Sequence, residues 1–192
     1  MNQELRPVEN YLPLIGTNWV FANLVTAADG STTSGNDSTA LSSLRDRSRF
    51  HELRRVADAI LIGGNTARTA PYAKTSKPLF VLTRSKELPA QVAINDKARL
   101  LNLEPTTALQ AIFATGAARI LVEGGPGLLT ALLSADLLDS LFLTVTNATP
   151  NQNQINHAEL ISMLHRSGLE KVSEENFSQE VFYIFSKTIT RQ

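Results

Sequence analysis

Short apolar segments alternate with helical patterns along this chain, and this alternation constrains the fold more than any other feature. The apolar runs have the length of strands that are buried on both faces of a sheet. Strands that alternate with helices predict an α/β sheet covered by helices on both faces. The predicted strands are Trp19–Val25, Ala59–Ile62, Leu79–Leu82, Ile120–Val122, Leu141–Val145 and Val181–Phe185.

Helical patterns fill the intervals between these strands. Ser43 is a candidate N-cap for a helix over Ser43–Val56, because Asp46 follows three residues later. Its apolar positions recur at multiples of three, with charged residues between them, and are Leu44, Phe50, Leu53 and Val56. Further helices are predicted over Thr107–Ala114, Leu128–Leu138 and His157–Arg166, the last one ended by Gly168.

Length and composition favour one globular domain. The chain has 192 residues, of which 43 % are hydrophobic and 19 % charged, so intrinsic disorder is disfavoured. We predict a single domain over residues 1–192, in which residues 1–17 form an N-terminal arm broken by two prolines. Lysine plus arginine and aspartate plus glutamate number 18 each. A neutral chain has no general attraction to nucleic acid or anionic lipid, so neither is expected as a partner.

The absence of cysteine excludes disulfides, thiolate nucleophiles and cysteine zinc sites. No apolar run approaches the ~20 residues that span a bilayer. The first ten residues contain acids and no apolar stretch behind a basic start, unlike a secretory signal. We therefore expect a cytoplasmic protein.

Two predicted strands end in paired glycines, at the edge where α/β sheets bind ligands. Gly63-Gly64 is followed by Asn65 and Thr66, and Gly124-Gly125 is followed by Pro126 at a helix start. Glycines let a ligand approach the backbone, and uncapped helix amides bind phosphate. The second turn is a natural pyrophosphate cradle, whereas the first fits a plain strand-to-helix turn equally well. The spacing does not match the G-x-G-x-x-G dinucleotide fingerprint.

Polar residues at two other strand ends, and Glu123 directly before the second glycine pair, complete the pattern. Thr83-Arg84-Ser85 offers two hydroxyls around an arginine, which suits a phosphate monoester such as the 2′-phosphate of NADP. Glu123 ends an apolar strand and needs hydrogen-bond donors, either from an uncharged, donor-rich ligand or from the amides of its own turn. From Asn23 to Asp29-Gly30-Ser31, the residues by themselves favour a simple loop turn.

These four segments, in this order and spacing, resemble the riboflavin-biosynthesis pyrimidine reductase family, the reductase half of bifunctional deaminase-reductases. The resemblance covers about residues 18 to 146, and Glu-Gly-Gly-Pro is its most specific part. The matching residues are Asn23, Asp29-Gly30, Asp58-Ala59 through Gly63, Gly63–Thr66, Thr83-Arg84 and Glu123–Pro126.

The resemblance implies a dihydrofolate reductase-like fold with a mixed, mostly parallel sheet, and a homodimer. It also implies NADPH-dependent reduction of an aminopyrimidine ribosyl phosphate of the 5-amino-6-(5-phosphoribosylamino)uracil type. By this likeness Asn23, Asp29 and Glu123 face the substrate. The residues implied to hold NADPH are Gly63, Gly64, Thr66, Thr83, Arg84, Ser85, Gly124 and Gly125.

The chain departs from the family pattern at three places on the substrate side. Ser31 stands where the biosynthetic enzymes have lysine, residues 68–72 lack an acidic residue before the proline, and residues 146–152 replace a Pro-x-x-x-Gly motif. Two alternatives therefore stay open: a reductase of a dihydrofolate or pterin-like substrate, and a non-catalytic nucleotide-binding module of the same fold.

The deaminase half of the bifunctional enzymes has no counterpart in this sequence, so we expect a divergent, stand-alone reductase. His157-Ala158-Glu159 imitates the His-x-Glu of zinc deaminases, but the chain has no cysteine to complete that site. We expect no bound metal. No side chain is singled out as a catalytic nucleophile, because the nicotinamide supplies the chemistry.

Overall fold

The computed structural model describes residues 5–12, 18–34 and 38–188. Eight strands in these residues form one sheet in the order β4-β3-β2-β5-β1-β6-β8-β7. The strands from β4 to β6 in this order run parallel, while β8 is antiparallel to β6 and β7 to β8. The strands are β1 (Trp19–Ala27), β2 (Ala59–Gly63), β3 (Leu79–Leu82), β4 (Ala98–Leu101), β5 (Arg119–Val122), β6 (Ser140–Thr146), β7 (Glu170–Asn176) and β8 (Glu180–Ser186).

Helices cover both faces of the sheet, as predicted. The helices are α1 (Leu44–Val56), α2 (Gly64–Thr69), α3 (Ala90–Ala93), α4 (Pro105–Phe113), α5 (Pro126–Ser134) and α6 (His157–Arg166). Buried residues of α4, α5 and α6 pack in one core cluster on one face. Those of α1, α2 and α3 pack in two clusters on the other face. None of the helices in the described ranges is both long and apolar enough to cross a bilayer.

All six predicted strands are confirmed, and two further strands were missed. β4 is a four-residue strand with one buried position at the edge of the sheet. β7 is the opposite edge strand, and only Ser173 of its residues is buried. β7 carries mostly polar side chains, and β4 is short and interrupted by Arg99, so neither has the apolar run that identifies an interior strand. The apolar run Leu141–Val145 lies inside the sheet, between β1 and β8.

Helix α1 begins as predicted but buries a different face. The Ser43 side chain accepts a hydrogen bond from the Asp46 amide, which confirms the N-cap. Leu44, one of the apolar positions of the predicted pattern, is 86 % exposed. The buried residues of the helix are Asp46, Arg49 and Leu53, spaced three and four apart on one face. Two charged residues therefore point into the protein from the first half of α1.

Part of the predicted N-terminal arm lies outside the described residues, namely 1–4 and 13–17. The intervening residues form a 3₁₀ turn over Val8–Tyr11. Val8 and Leu12 are buried in the same cluster as Leu53 of α1 and Phe21 of β1. This part of the arm thus belongs to the core of the domain.

Candidate functional site

The glycine turns and the arginine turn lie side by side at the carboxyl ends of three parallel strands. They follow β3, β2 and β5, which are consecutive neighbours and run parallel. Neighbouring strands are about 4.8 Å apart, so the three turns form a row about 10 Å long. The structure therefore brings together the predicted cofactor residues from three separate parts of the chain. Thr66 lies two residues after Gly64 and is half-buried in α2.

Close packing explains two of these glycines. A Cβ atom on Gly64 would lie 2.6 Å from Oγ1 of Thr83. The turns after β2 and β3 are therefore in close contact. One on Gly124 would lie 2.8 Å from Cδ2 of Leu128. Gly125 differs, because a Cβ there would meet nothing within 4 Å. The row of turns thus presents open space over Gly125.

Helix α5 begins at this open position. Pro126 is its first residue, and its N-cap Gly125 has no side chain to bond the free amides of the first turn. Such uncapped amides, at the positive end of the helix dipole, bind anionic oxygens. The turn after β5 therefore fits a diphosphate, as its sequence predicts.

The turn after β3 presents an arginine to solvent. The Ser85 amide donates to Oγ1 of Thr83 over 3.1 Å, and Asn102 donates to the carbonyl oxygens of Arg84 and Ser85. These bonds hold the backbone of the turn. The Arg84 side chain is exposed, and among the described residues its guanidinium has no hydrogen-bond or ion-pair partner. Its fork of donors is therefore available to a phosphate.

Glu123 binds two side chains from distant parts of the chain rather than the amides of its own turn. Arg54 of α1 donates from Nε to Oε1 over 2.7 Å and from Nη2 to Oε2 over 2.6 Å. The Tyr72 hydroxyl donates to Oε2 over 2.6 Å. Glu123 is 6 % exposed and Tyr72 is 7 % exposed. We call Arg54, Tyr72 and Glu123 the Glu123 cluster.

The surroundings of the Glu123 cluster shift the pKa values of two members. Burial and the neighbouring Glu123 carboxylate raise the pKa of Tyr72 well above its ordinary value. Burial lowers the pKa of Arg54, but the bonds to Glu123 outweigh this and raise it overall. At neutral pH the cluster therefore combines a charged guanidinium with an un-ionised phenol.

Asn23 lies on the same face of the sheet as Glu123. The pairing of β1 with β5 ends at Ala22 and Val122, and the next residues of the two strands are Asn23 and Glu123. Oδ1 of Asn23 is buried and has no hydrogen-bond partner in the described part of the chain. A buried amide oxygen without a donor is costly, so it is a candidate to accept a bond from a ligand.

Asp29 closes the turn after β1. Its carboxylate accepts from the Ser31 amide over 2.9 Å and from the Asn151 amide over 2.8 Å. Burial raises its pKa, but these hydrogen bonds outweigh it and leave the pKa lowered. Gly30 has a φ of +84°, and a Cβ there would lie 2.1 Å from the Ile155 carbonyl oxygen. The turn is therefore tied to the loop between β6 and α6, next to the row of turns that follow β3, β2 and β5.

Ser31, at the position of the family's lysine, is fully buried. Its hydroxyl accepts from the Gln152 amide over 2.9 Å, so it also ties this turn to the loop after β6.

His157, the first residue of α6, contacts strand β1. Oγ1 of Thr26 lies 3.0 Å from Nε2 of His157. Burial lowers the pKa of His157, although the charge of Asp29 opposes this. His157 thus packs against the sheet.

Sequence reasoning missed Arg54 and Tyr72. Arg54 lies 69 residues before Glu123 and Tyr72 lies 51 residues before it. Neither residue carries a local pattern that identifies its partner. Tyr72 lies in the 68–72 segment that departs from the family pattern, so this segment provides a hydrogen-bond donor to Glu123.

Comparisons with known proteins address the family directly. The RibD C-terminal domain family matches residues 18–148. The chain belongs to this family. It is 32 % identical over 142 residues to the riboflavin biosynthesis protein RibD of Mycobacterium tuberculosis, an alignment that covers 66 % of this chain and 40 % of that protein. The chain thus corresponds to less than half the length of this relative.

Solved structures of RibD-type proteins share the fold. A deaminase/5-amino-6-(5-phosphoribosylamino)uracil reductase of Thermotoga maritima has a TM-score of 0.67 and 15 % identity, over 90 % of this chain and 57 % of that one. A pyrimidine reductase-like protein of Corynebacterium diphtheriae has a TM-score of 0.64 and 19 % identity, over 98 % of this chain and 96 % of that one. The prediction of a dihydrofolate reductase-like α/β fold is confirmed.

Proposed function

We propose that this protein reduces a pyrimidine ribosyl phosphate of the 5-amino-6-(5-phosphoribosylamino)uracil type with NADPH, as a step of riboflavin biosynthesis. The observation that carries the proposal is the order of the turns along one sheet edge. Three turns suited to a dinucleotide phosphate follow β3, β2 and β5, and the Asp29 turn follows β1, the next strand. Membership of the RibD C-terminal domain family supports the same assignment.

On this proposal the row of turns holds the cofactor. The amides at Gly124 and Gly125 bind its diphosphate, with the Gly63-Gly64 turn beside them. Arg84, between Thr83 and Ser85, binds the 2′-phosphate that distinguishes NADPH from NADH. When bound, the dihydronicotinamide supplies a hydride to the sugar carbon of the substrate. The protein aligns the two and excludes water.

The substrate then lies beside β1 and β5, within reach of Asn23, Asp29 and Glu123. Asn23 has a free buried oxygen that accepts a hydrogen bond from an amino or ring N–H group. Protein donors already bind the carboxylates of Asp29 and Glu123 and fix their orientation. The oxygens of these carboxylates accept further hydrogen bonds from the substrate. Arg54 and Tyr72 are positioning residues for Glu123.

The decisive assay is NADPH oxidation with the aminopyrimidine ribosyl phosphate as acceptor, with mass spectrometry of the product. We expect NADPH absorbance to fall and the product to gain two hydrogens as the ribose opens to a ribityl chain. Dihydrofolate is the comparison substrate, and turnover of dihydrofolate alone would replace the proposal with the pterin alternative.

The burial of Ser31 keeps a second candidate in view, a nucleotide-binding module without catalysis. A buried serine cannot reach a substrate in the way that the family's lysine does. This candidate predicts that the protein binds NADPH but oxidises it with neither acceptor. The same assay, run beside a binding titration, therefore separates the two candidates.

We also infer that the protein is a homodimer, because the family resemblance implies one, and that it works in the cytoplasm, as its composition predicts. Light scattering on the purified protein tests the assembly, since the chain itself has a mass of 20.9 kDa. A mass near twice this value supports the dimer, and a mass equal to it contradicts the dimer.

A further inference from the structure

Arg68, in the last turn of α2, places its guanidinium beside the turns that follow β2 and β3. Nη1 of Arg68 lies 3.5 Å from the point that a Cβ atom of Gly64 would occupy. Oγ1 of Thr83 lies 2.6 Å from the same point. The guanidinium of Arg68 and the hydroxyl of Thr83 are therefore close to each other, although 15 residues separate them in the chain.

The two glycines of the β2 turn show which way Arg68 reaches. β2 lies between β3 and β5 in the sheet. A Cβ atom on Gly63 would meet Leu128 of α5, the helix that follows β5, at 3.7 Å, whereas one on Gly64 would meet Thr83 after β3. Arg68 therefore lies on the β3 side of the β2 turn, toward the turn that carries Arg84 rather than toward α5.

Two hydrogen bonds hold Arg68 in this position. Nη2 donates to Oδ1 of Asn65, three residues earlier in α2. Nε2 of Gln91, in α3, donates to the backbone carbonyl oxygen of Arg68. The first bond orients the guanidinium and the second holds the backbone, so Arg68 loses less conformational freedom when it binds a ligand.

The side of the guanidinium that faces the β3 turn is available to a ligand. Arg68 is exposed, and Nη1, which carries two N–H donors, has no acceptor in the described part of the chain. Across the described ranges, no carboxylate lies within ion-pair distance of Arg68 or of Arg84. Both positive charges are therefore uncompensated by the protein around them.

The charge of a phosphate monoester matches two such arginines. A phosphate monoester carries a charge of about −1.5 to −2 at neutral pH. Arg84 alone balances only part of this charge, and Arg68 supplies a second positive charge from α2. Arginine is well suited to this contact, because its N–H donors match the geometry of phosphate oxygens.

We propose that Arg68 is a second specificity residue for the cofactor, which binds the 2′-phosphate of NADPH from the α2 side while Arg84 binds it from the β3 turn. Asn65 is the positioning residue for Arg68. The inference rests on the proposed function, because it assumes that the row of turns holds NADPH. It also extends the set of cofactor residues that the family resemblance implies, which does not include Arg68.

Calorimetric titration with NADPH and with NADH tests the role of Arg68. In Arg68→Met we expect NADPH to bind at least fivefold more weakly and NADH to bind as in the parent protein, because NADH has no 2′-phosphate. Arg68→Lys keeps the charge but loses the planar set of donors, so we expect NADPH to bind about twofold more weakly.

Arg166→Met is the matched control. Arg166 is also an exposed arginine in the last turn of a helix, and it donates to the side chain of Ser162 one turn earlier in α6. We expect this variant to bind both nucleotides as the parent protein does. Circular dichroism checks that each variant is folded, and Arg68→Lys serves as the test if Arg68→Met is not.

The parent protein separates a failure of the cofactor assignment from a failure of this inference alone. If the parent does not prefer NADPH to NADH, the proposed cofactor is wrong and the role of Arg68 is overturned with it. If the parent prefers NADPH and the folded Arg68 variants keep the whole preference, only the role of Arg68 is overturned. An equal loss of affinity for both nucleotides would place Arg68 at a part that they share, such as the diphosphate, and would also overturn it.

Discussion

Buried polar groups are hydrogen-bonded on one flank of α1 and partly unpaired on the other. On the flank that faces β5, both oxygens of Glu123 bind protein donors, from Arg54 and Tyr72. On the flank that faces β8, Arg49 and Glu180 keep buried atoms without partners. A satisfied cluster adds rigidity, whereas unsatisfied groups cost stability unless a ligand pairs them. The difference indicates that the first flank positions a carboxylate, whereas the second leaves buried polar groups unpaired.

The largest effect is expected from breaking the satisfied cluster. Glu123→Leu leaves the half-buried Arg54 guanidinium and the Tyr72 hydroxyl without their acceptor, at an expected cost of about 3 kcal/mol in the free energy of unfolding. Urea denaturation measures it. The double variant Glu123→Leu with Arg54→Met is expected to recover much of this loss, because no unpaired charge remains. Additive losses in the double variant would show that the two residues do not interact.

Tyr72→Phe tests the third member of the Glu123 cluster. The loss of one buried hydrogen bond to a carboxylate is expected to lower the free energy of unfolding by about 1.5 kcal/mol. Tyr11→Phe is the matched control, since its hydroxyl bonds a neutral partner, Ser173, over 3.2 Å. The control is expected to lose about 0.5 kcal/mol. Equal losses in thermal or urea unfolding would contradict the special role of Tyr72.

Arg49→Met probes the flank that carries the unpartnered atoms, where we expect a small effect. The substitution gives up one bond to Thr144 and the attraction to the buried Asp46, but it also removes a buried charge with unused donors, so the free energy of unfolding is expected to fall by only about 1 kcal/mol. Arg54→Met, on the satisfied flank, is expected to lose about 3 kcal/mol because it leaves the buried Glu123 carboxylate without its ion-pair partner. If the two variants lose the same stability in urea, the two flanks do not differ.

Thr146→Val is expected to have the smallest effect on stability. Its hydroxyl has no partner in the described residues, so the free energy of unfolding should stay within about 0.5 kcal/mol of the parent value. Thr144→Val, two residues earlier on the same strand, removes a hydroxyl that bridges Arg49 and Asp46 and should cost about 2 kcal/mol. A large loss from Thr146→Val would mean that its hydroxyl is paired in solution.

Much of the fold could be predicted from local sequence patterns. The six interior strands each contain an apolar run, so they are identifiable, and α6 begins and ends at the predicted residues His157 and Arg166. The edge strands β4 and β7 escaped because half-exposed strands carry no such run. The inward face of α1 escaped because Asp46 and Arg49 are charged, and their burial depends on partners almost a hundred residues away.

The turns of the candidate site were predictable because glycine and arginine at strand ends have local physical reasons. Their positions next to one another follow from the strand order, and the strand order is known only once the fold is known. The partners of Glu123 were not predictable, since an ion pair between α1 and the end of β5 leaves no mark in either segment. Whether these turns hold NADPH stays a prediction that the geometry supports.

The most direct test of the reductase assignment is a calorimetric titration with NADPH and with NADH. We expect the protein to bind NADPH at least tenfold more tightly than NADH. Arg84→Ala should remove most of this preference, while Arg99→Ala, which alters an exposed arginine on the neighbouring strand β4, should leave it intact. Equal affinity for the two nucleotides, or no binding of either, would contradict the account.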